Sequence, residues 1–359
     1  MFVSNAWYII AEPQELENEA IVARTVLGKR LAIYRGRDGA IVAMEDRCPH
    51  RFAPLSLGKI TDRGIQCAYH GAEFAANGQC VAVPAQKNPP DATVDTFPAV
   101  EKHGYVWGWL GDPELSGDES SIPDGFWVSG DPAWIGGYGH MESIKVDYRL
   151  INDNLFDITH AEFVHPESFG GEEVQFYRDA KRGTGFRDRG MTYEVGDNHI
   201  VFRTHAAALG QEGGPLWRSL LAQSRGLDDW PEPIDFRMEV YWWAPVYTSF
   251  HITVRPIDEP DADPVEIYNL HAAIPETEAS SHYFYRSVRN YGDASMNAPF
   301  IEAAQAIFEQ DKPVLEGQQE VLGARDLLDE DPISFRGDRL QLEGRRILNE
   351  LIAAEAKDG

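Results

Sequence analysis

Four residues in two short runs carry the most specific chemistry in this sequence. Cys48-Pro49-His50 is followed, after sixteen intervening residues, by Cys67-Ala68-Tyr69-His70. Each run pairs one thiol with one imidazole. A mixed-ligand [2Fe–2S] cluster needs that division, with both cysteine sulfurs on one iron and both histidine nitrogens on the other. Such a cluster of the Rieske type passes single electrons at a higher potential than an all-thiolate one. The competing reading is tetrahedral zinc, which also accepts two Cys and two His. Zinc fingers, however, group their cysteines in one pair and their histidines in another, whereas here each run carries one of each.

A second constellation runs from Asn152 to Pro166, NDNLFDITHAEFVHP. Asp157 and His160 are three apart, so a continuous helix puts them on one face. His165, five further on, falls well round that helix at ~100° per residue. Pro166 disfavours the α conformation at His165, so the helix is expected to end there and swing the imidazole back. Two neutral imidazoles and one carboxylate, with open positions, make the ligand set of a non-haem Fe(II) oxygenase. The bland alternative is a pair of ordinary core or capping histidines.

Spacing cannot pick a carboxylate from 58 acidic residues. A helix expected over about 298–322 narrows the field. Phe300, Ala304, Ile307, Asp311, Val314 and Leu315 fall at i, i+4, i+7, i+11, i+14 and i+15 and form one stripe. Asp311 is the charged member of that apolar face. A carboxylate buried there is costly unless paired or bound to metal. Pro313 frees the carbonyl of Glu309 and permits a kink. Glu302 and Glu309 fall off the stripe. A buried salt bridge or a different helix phase is the alternative for Asp311.

The elements that must hold these residues fall into two parts. From Ala20 to Tyr34, apolar and polar residues alternate, with a turn at Gly28-Lys29. Gly36-Arg37-Asp38-Gly39 signals a hairpin, and Asn77-Gly78 a tight turn before Cys80 to Val83. Tyr105 to Leu110 reads as an aromatic strand. Glu114 to Gly125, rich in Ser, Asp, Gly and Pro, reads as a linker. The boundary is placed between about Asp112 and Tyr138, giving domains 1–125 and 126–359. The second part mixes long strands (Asp235 to Arg255, Val265 to Ile274) with helices over about 298–322 and 337–354. The expected class is α+β.

Of 359 residues, 43% are hydrophobic and 11% aromatic, enough for real cores. No stretch approaches the ~20 apolar residues of a membrane helix. The first ten residues lack the basic start and cleavage pattern of a signal peptide. Three cysteines, two of them assigned to the cluster and Cys80 left single, exclude a disulfide framework and fit a reducing cytoplasm. A net charge of −26 opposes non-specific nucleic-acid binding.

With these residues in view, the chain resembles a known family over nearly its whole length: the oxygenase (alpha) components of Rieske non-haem iron aromatic oxygenases, in the vanillate O-demethylase and dicamba monooxygenase branch. Asn5-Ala6-Trp7-Tyr8, the run Cys48 to Ser56, Asn154 to His160, Pro275-Glu276-Thr277-Glu278 and Arg289-Asn290-Tyr291 carry the resemblance. It implies an all-β Rieske domain followed by a catalytic domain in which helices grip a curved antiparallel sheet. It implies mononuclear iron on His160, His165 and Asp311, and the run Asp311 to Glu316 matches that part of the family. It further implies a homotrimer in which the cluster of one subunit serves the iron of its neighbour. Asp157 would bridge His70 of one subunit to His160 of the next, and Asn154 would tune that bridge.

The reaction implied is hydroxylation of a substrate C–H bond with dioxygen as co-substrate. On an O-methyl or N-alkyl carbon the product collapses to an aldehyde and a dealkylated ring. A methyl-group or ring hydroxylase of the same architecture is the second reading. A Rieske electron carrier without catalysis is the third, opposed by the chain length and by the second histidine pair. No flavin or dinucleotide motif appears, so NAD(P)H acts only indirectly, through a ferredoxin, a flavin reductase or both. Arg51, Lys59 and Arg63 beside the cluster runs suit an acidic ferredoxin, or are ordinary surface charges. Substrate-pocket candidates are Trp243, Tyr247, Phe250, His251 and His271, with Trp242 beside them and Leu155 and Ile158 near the iron. Their aromatic density suits a planar ring; the alternative is plain core. Phe250 and Glu302 depart from the branch's substrate contacts, which argues against dicamba and weakens carboxylate recognition.

Overall fold

The structure, a computed structural model, describes residues 1–84, 86–116, 119–157, 160–165, 192–205, 215–230 and 233–358. The chain divides into two units. One holds Met1–Asp124 with Ile274–Glu278 and Ile352–Gly359; the other holds Gly125–Ala273 and Ala279–Leu351. Two segments that a single cut at residue 125 leaves in the second domain therefore belong with the first unit. Hydrogen bonds explain both. The backbone N–H groups of Leu27 and Gly28 donate to the carbonyls of Pro275 and Glu276, each at 2.8 Å. The Glu355 carboxylate accepts from the N–H groups of Ser4 (2.8 Å) and Asn5 (2.7 Å).

The first unit is built from short antiparallel strands: β1 (Trp7–Ala11), β2 (Ile21–Val26), β3 (Lys29–Arg35), β4 (Ile41–Glu45), β5 (Lys59–Thr61), β6 (Gly64–Gln66), β7 (Glu73–Phe74), β8 (Cys80–Ala82), β9 (Thr96–Phe97), β10 (Ala99–Lys102) and β11 (Tyr105–Trp109). They form sheets in the orders β1-β11-β10, β2-β3-β4-β9 and β5-β6-β7-β8. Tyr34, Met44, Leu55, Ile65 and Phe74 share one core with Cys48, Cys67 and Cys80. The β2–β3 turn is Leu27-Gly28 rather than Gly28-Lys29, since Val26 pairs with Lys29. Both turn residues have positive φ, 51° and 75°, as the twist of a two-residue hairpin demands. Leu27 holds that conformation while bonded to Pro275.

The second unit contains β12 (Ile135–Ile144), β13 (Thr192–Val195), β14 (His199–His205), β15 (Ile234–Trp243), β16 (Tyr247–Pro256), β17 (Val265–Thr277) and β18 (Ser280–Arg289). They make a seven-stranded sheet in the order β12-β18-β17-β16-β15-β14-β13. Its helices are α1 (Tyr148–Phe156), α2 (Ala161–Val164), α3 (Pro215–Ser224), α4 (Asn297–Leu322) and α5 (Arg339–Asp358). The register sets two faces. Met238 opposes Ile252, which opposes Ile267, and Val240 opposes Phe250, which opposes Asn269. On the other face Glu239, His251 and Tyr268 line up, as do Trp243, Tyr247 and Ala272. Leu220 and Leu221 of α3 pack on the first face with Ile234, Phe236 and Ile252.

Helix α1 is tied at both ends. Asp147 caps it by accepting from the Arg149 N–H at 2.8 Å. Near its other end Asp153 takes a forked pair from Arg345 of α5, at 2.6 Å from Nη2 and 3.1 Å from Nε. Asp326 accepts from Arg149 and, at 3.5 Å, from Arg345, so the charges form one chain. In α4, Asp311 and Leu315 are buried while Val314 is 56% exposed. Val314 therefore lies off the expected stripe; it stands one position before Leu315, which takes the inward place. No helix among the described residues is long and apolar enough to cross a membrane.

Candidate metal sites and the adjoining cavity

The two Cys/His runs fold into twin loops. The N–H of Cys48 donates to the Ala53 carbonyl (2.9 Å), and that of Phe52 returns to the Cys48 carbonyl (2.8 Å). In the second loop Cys67 N–H donates to Ala72 (2.8 Å), and Gly71 N–H returns to Cys67 (3.0 Å). The fifth residue of each loop has positive φ, 59° at Phe52 and 73° at Gly71. Glycine does this without cost; Phe52 does it with its ring under the Arg47 guanidinium, 3.9 Å from the centroid. Cys48 and Cys67 are buried, and His50 and His70 are exposed. The His50 and His70 rings touch, with centroids 4.6 Å apart. Burial pushes the Cys48 thiol up, and the adjacent Cys67 thiol adds to the shift. Two thiols side by side below two imidazoles, on loops of matching form, fit a two-iron cluster. Cys48, Cys67 and Cys80 are all free of disulfides, and burial also pushes the Cys80 thiol up in the core. Sequence reading missed Asp46, which is buried and accepts from Ser56 at N (2.7 Å) and Oγ (2.8 Å), bracing the first loop.

The second site differs locally from expectation. Helix α1 stops at Phe156, and Asp157 caps it in an extended conformation (φ −97°, ψ 92°). His160 starts α2 and His165 ends it at φ −119°, ψ 54°. Asp157 and His160 thus flank a break rather than share one helix. Pro166 lies outside the described residues, as does Ile158. Side-chain ligand atoms of His160, His165 and Asp311 lie within 4.8 Å of one another. Asp311 Oδ1 is 3.4 Å from His160 Nε2 and 3.2 Å from His165 Nε2. The other ring nitrogens are engaged: His160 Nδ1 with the Asp157 carbonyl, and His165 Nδ1 with Gln310 Oε1 at 2.8 Å. An acceptor at Nδ1 fixes that proton and turns the Nε2 lone pair inward, the arrangement of a metal-binding imidazole. Gln310 had no signal in the sequence beyond being next to Asp311. Asn154 completes the group, its amide 3.2 Å from Asp311 Oδ1 and 3.4 Å from His160 Nε2.

The electrostatics suit a cation. Burial alone lowers the pKa of His165, yet Asp311 and Gln310 hold it above the ordinary value. Both His165 and Asp311 are buried, at 2% and 7% exposure. Positive charge is therefore favoured at a point where two imidazole nitrogens and a carboxylate oxygen converge. That donor set fits Fe(II) with open positions.

Asn154, Asp157, His160, His165 and Asp311 form one end of a cavity of about 280 Å³. Trp217 of α3, Phe236 and Met238 of β15, Ile252 of β16 and Phe308 of α4 wall the rest. Leu155, Phe250 and His271 line it as expected from sequence. Trp243, Tyr247 and His251 do not, and strand alternation explains all three. His251 is next to Phe250, so it points to the opposite face, where it bonds Glu266 (2.7 Å) and stacks on Tyr268 (4.2 Å). Tyr247 meets Phe126 edge-on at 5.5 Å, and Trp243 stacks with Tyr241 at 5.7 Å. Trp242 packs against Phe156 at 5.3 Å instead. Arg286 also borders the cavity, but its guanidinium lies 4.0 Å from the Tyr138 ring centroid. Its neighbour Ser287 faces inward and donates to Asn269 Oδ1 at 2.8 Å, so the Arg286 side chain turns away.

Comparison with known proteins agrees with this geometry. Residues 6–98 match the Rieske [2Fe-2S] domain, and residues 144–354 match the Vanillate O-demethylase oxygenase C-terminal domain. The chain is 37% identical over 322 residues to the dicamba O-demethylase oxygenase component of Stenotrophomonas maltophilia, covering 88% of this chain and 87% of that one. It is 32% identical over 373 residues to the chloroacetanilide N-alkylformylase oxygenase component of Rhizorhabdus wittichii, covering 99% and 97%. The crystal structure of dicamba monooxygenase bound to dicamba has a TM-score of 0.80 to this one, at 33% identity and 99% coverage of each chain. The form with non-haem iron and dicamba gives 0.71, at 30% identity, covering 100% of this chain and 99% of that one. The twin cluster loops, the converging His/His/Asp set and these matches lead to one conclusion: this chain belongs to the Rieske non-haem iron oxygenases, as the oxygenase component of a monooxygenase system that uses a [2Fe–2S] cluster and a mononuclear iron.

Proposed function

We propose that this oxygenase removes an O- or N-alkyl group from a small aromatic substrate and releases it as an aldehyde. The carrying observation is that the His160, His165 and Asp311 set opens directly into a cavity walled by aromatic and aliphatic side chains. In this reading Cys48, His50, Cys67 and His70 hold the cluster, and His160, His165 and Asp311 hold the mononuclear iron. The iron, when bound, supplies reductive activation of dioxygen and delivery of one oxygen atom to a C–H bond. The chain supplies the rest. Trp217, Phe236 and Phe308 offer flat apolar surface to a ring and keep water out. The carbonyl of Asp157 and the amide of Gln310 hold the imidazoles in one tautomer. Hydroxylation of an O-methyl carbon gives a hemiacetal, which collapses to formaldehyde and a phenol; an N-alkyl carbon gives a carbinolamine, which collapses likewise. The relatives whose names state O-demethylase and N-alkylformylase activities support this choice over ring hydroxylation.

The working assembly is a homotrimer in which Asp157 joins His160 to His70 of the partner subunit. A ferredoxin, a flavin reductase or both meet the exposed imidazoles of His50 and His70, and NAD(P)H enters only through that donor. Free cysteines fit a reducing cytoplasm.

The test is a screen of methoxy- and N-alkyl-arenes with reconstituted donor, following oxygen uptake and aldehyde together. Near-equal amounts of the two are expected on a productive substrate. Oxygen uptake with hydroxylated product and no aldehyde would instead favour the methyl-group or ring hydroxylase.

A further inference from the structure

A buried carboxylate stands just ahead of the first cluster run. Asp46 follows β4 and precedes Cys48 by two residues, so the two Cα atoms are at most ~7 Å apart. Its side chain is 1% exposed. Oδ1 accepts from the Ser56 N–H at 2.7 Å and Oδ2 from the Ser56 hydroxyl at 2.8 Å. The backbone N–H of Asp46 donates to the Arg30 carbonyl at 2.8 Å, which fixes the residue against β3. Among the described residues, the cation paired with this carboxylate is Arg30. Its Nη2 is 3.4 Å from Oδ2, and its side chain is 64% exposed. The Ser56 donors are neutral, so they hold the carboxylate without cancelling its charge. Burial strengthens the field of Asp46 on its surroundings, whereas water and salt weaken that of Arg30. The negative charge is therefore only partly offset. The next charges along, Arg47 and Glu45, pair with each other at 3.8 Å and are 51% and 39% exposed, so their fields largely cancel.

We propose that the Asp46–Arg30 pair sets the reduction potential of the cluster, Asp46 lowering it as a buried negative charge and Arg30 trimming that effect from the surface. Reduction adds one electron to the cluster, and with it one negative charge. A carboxylate held beside the first loop opposes that addition, so the reduced cluster is the stronger donor to the mononuclear iron. Net charge, hydrogen bonding and exposure are the general levers on such potentials; Asp46 supplies the first from a residue that is not itself a ligand. Asp46 and Arg30 also line a surface groove of about 530 Å³ with Arg47, Phe52, Pro54 and Phe97. Dissolved ions thus reach Arg30 but not the Asp46 side chain. The inference rests on the reading of Cys48, His50, Cys67 and His70 as the cluster ligands. It does not depend on which group the enzyme removes from its substrate.

Spectroelectrochemistry of the reconstituted holoenzyme at one pH tests this. Asp46→Asn keeps the side-chain size and both Ser56 contacts, because the Ser56 hydroxyl can turn to accept from the new amide. The charge alone is lost. The midpoint potential is expected to rise, corresponding to about a tenfold change in the reduction equilibrium. The electron paramagnetic resonance spectrum of the reduced cluster should stay the same, as intact ligation requires. Arg30→Gln should lower the potential by a smaller step, and its gap from the unmodified protein should close at high salt. Ser56→Ala breaks a contact with the loop but keeps the charge, so it should not raise the potential. A potential unchanged or lowered in Asp46→Asn would overturn the proposal. An equal rise in Ser56→Ala would do so too, by making loop geometry the cause. If Asp46→Asn fails to hold a cluster, Arg30→Gln decides: the absence of a downward shift overturns the proposal. An unmodified protein with no cluster spectrum would instead overturn the ligand reading on which the inference stands.

Discussion

Asp157→Asn is expected to keep both iron sites loaded yet lower product formation by about 10- to 100-fold. Three of the contacts made by Asp157 run through its backbone and survive the change. Its N–H donates to the carbonyls of Asp153 and Asn154, both at 3.2 Å, which closes α1. Its carbonyl accepts from His160 Nδ1, which orients that ring. Asn has the same shape as Asp, so the cavity wall is preserved. What disappears is the side-chain carboxylate of Asp157, a residue that lines the same end of the cavity as His160. If that carboxylate joins His160 to the neighbouring subunit, turnover falls while metal content, fold and substrate binding do not. The check is product formation and iron analysis on the same preparation. Turnover near that of the unmodified protein, with full iron, would remove the carboxylate from the account.

The second large effect is on stability. Arg345→Met should cost about 3–5 kcal/mol, because it leaves the Asp153 carboxylate buried without its counter-charge. Burial works against the charge of Arg345, but Asp153 and Asp326 raise its pKa above the ordinary value, so the guanidinium is charged in place. For Asp153, burial pushes the carboxyl up and Arg345 pulls against it. Removing Arg345 removes that opposition and also a link to Asp326. Thermal unfolding of the variant should begin roughly 6–20 °C lower. Asp153→Asn on top of Arg345→Met should recover part of the loss, since no buried charge is then stranded. Helix α1 carries Asn154 to the iron ligands, so the single variant should also lose mononuclear iron faster to a chelator. An unchanged unfolding midpoint would mean that apolar packing alone holds α1. One packing contact already stands out: at Gly344 of α5 a Cβ would come within 2.7 Å of the Phe156 ring, so a side chain there would push the two helices apart.

The candidate ligand residues could be singled out in the sequence because metal chemistry restricts residue type and spacing together, and the structure brings His160, His165 and Asp311 together. Helix phase made Asp311 a candidate, since a carboxylate on an apolar stripe is costly unless paired or bound to metal, but a buried salt bridge stayed open until the structure placed it beside His160 and His165. The break at Asp157 was not, because nothing in Asp-Ile-Thr-His forbids a helix. The twin loops were likewise hidden: Gly71 suggests a left-handed position, but Phe52 does not. The cavity wall was half legible. Strand β16 carries aromatic or apolar residues on both faces, Tyr247 on one and Phe250 and Ile252 on the other. The sequence does not say which face is inward, so it offers residues of both faces, Tyr247 and His251 with Phe250, together as pocket candidates. Trp217 approaches from a separate helix, and no periodic signal in the sequence connects α3 to β15. Asp46 and Gln310 were invisible for a different reason. Each matters through one hydrogen bond to a loop or ligand, a relation that needs coordinates.

The central claim is a second metal centre at His160, His165 and Asp311, separate from the cluster, and iron content tests it most directly. The purified, reconstituted protein should hold about three irons per chain, two in the cluster and one mononuclear. Asp311→Asn should hold about two, with the visible absorption of the cluster unchanged and no product formed. A variant that keeps the third iron and its activity, or an unmodified protein that never exceeds about two irons while turning over substrate, would contradict the account.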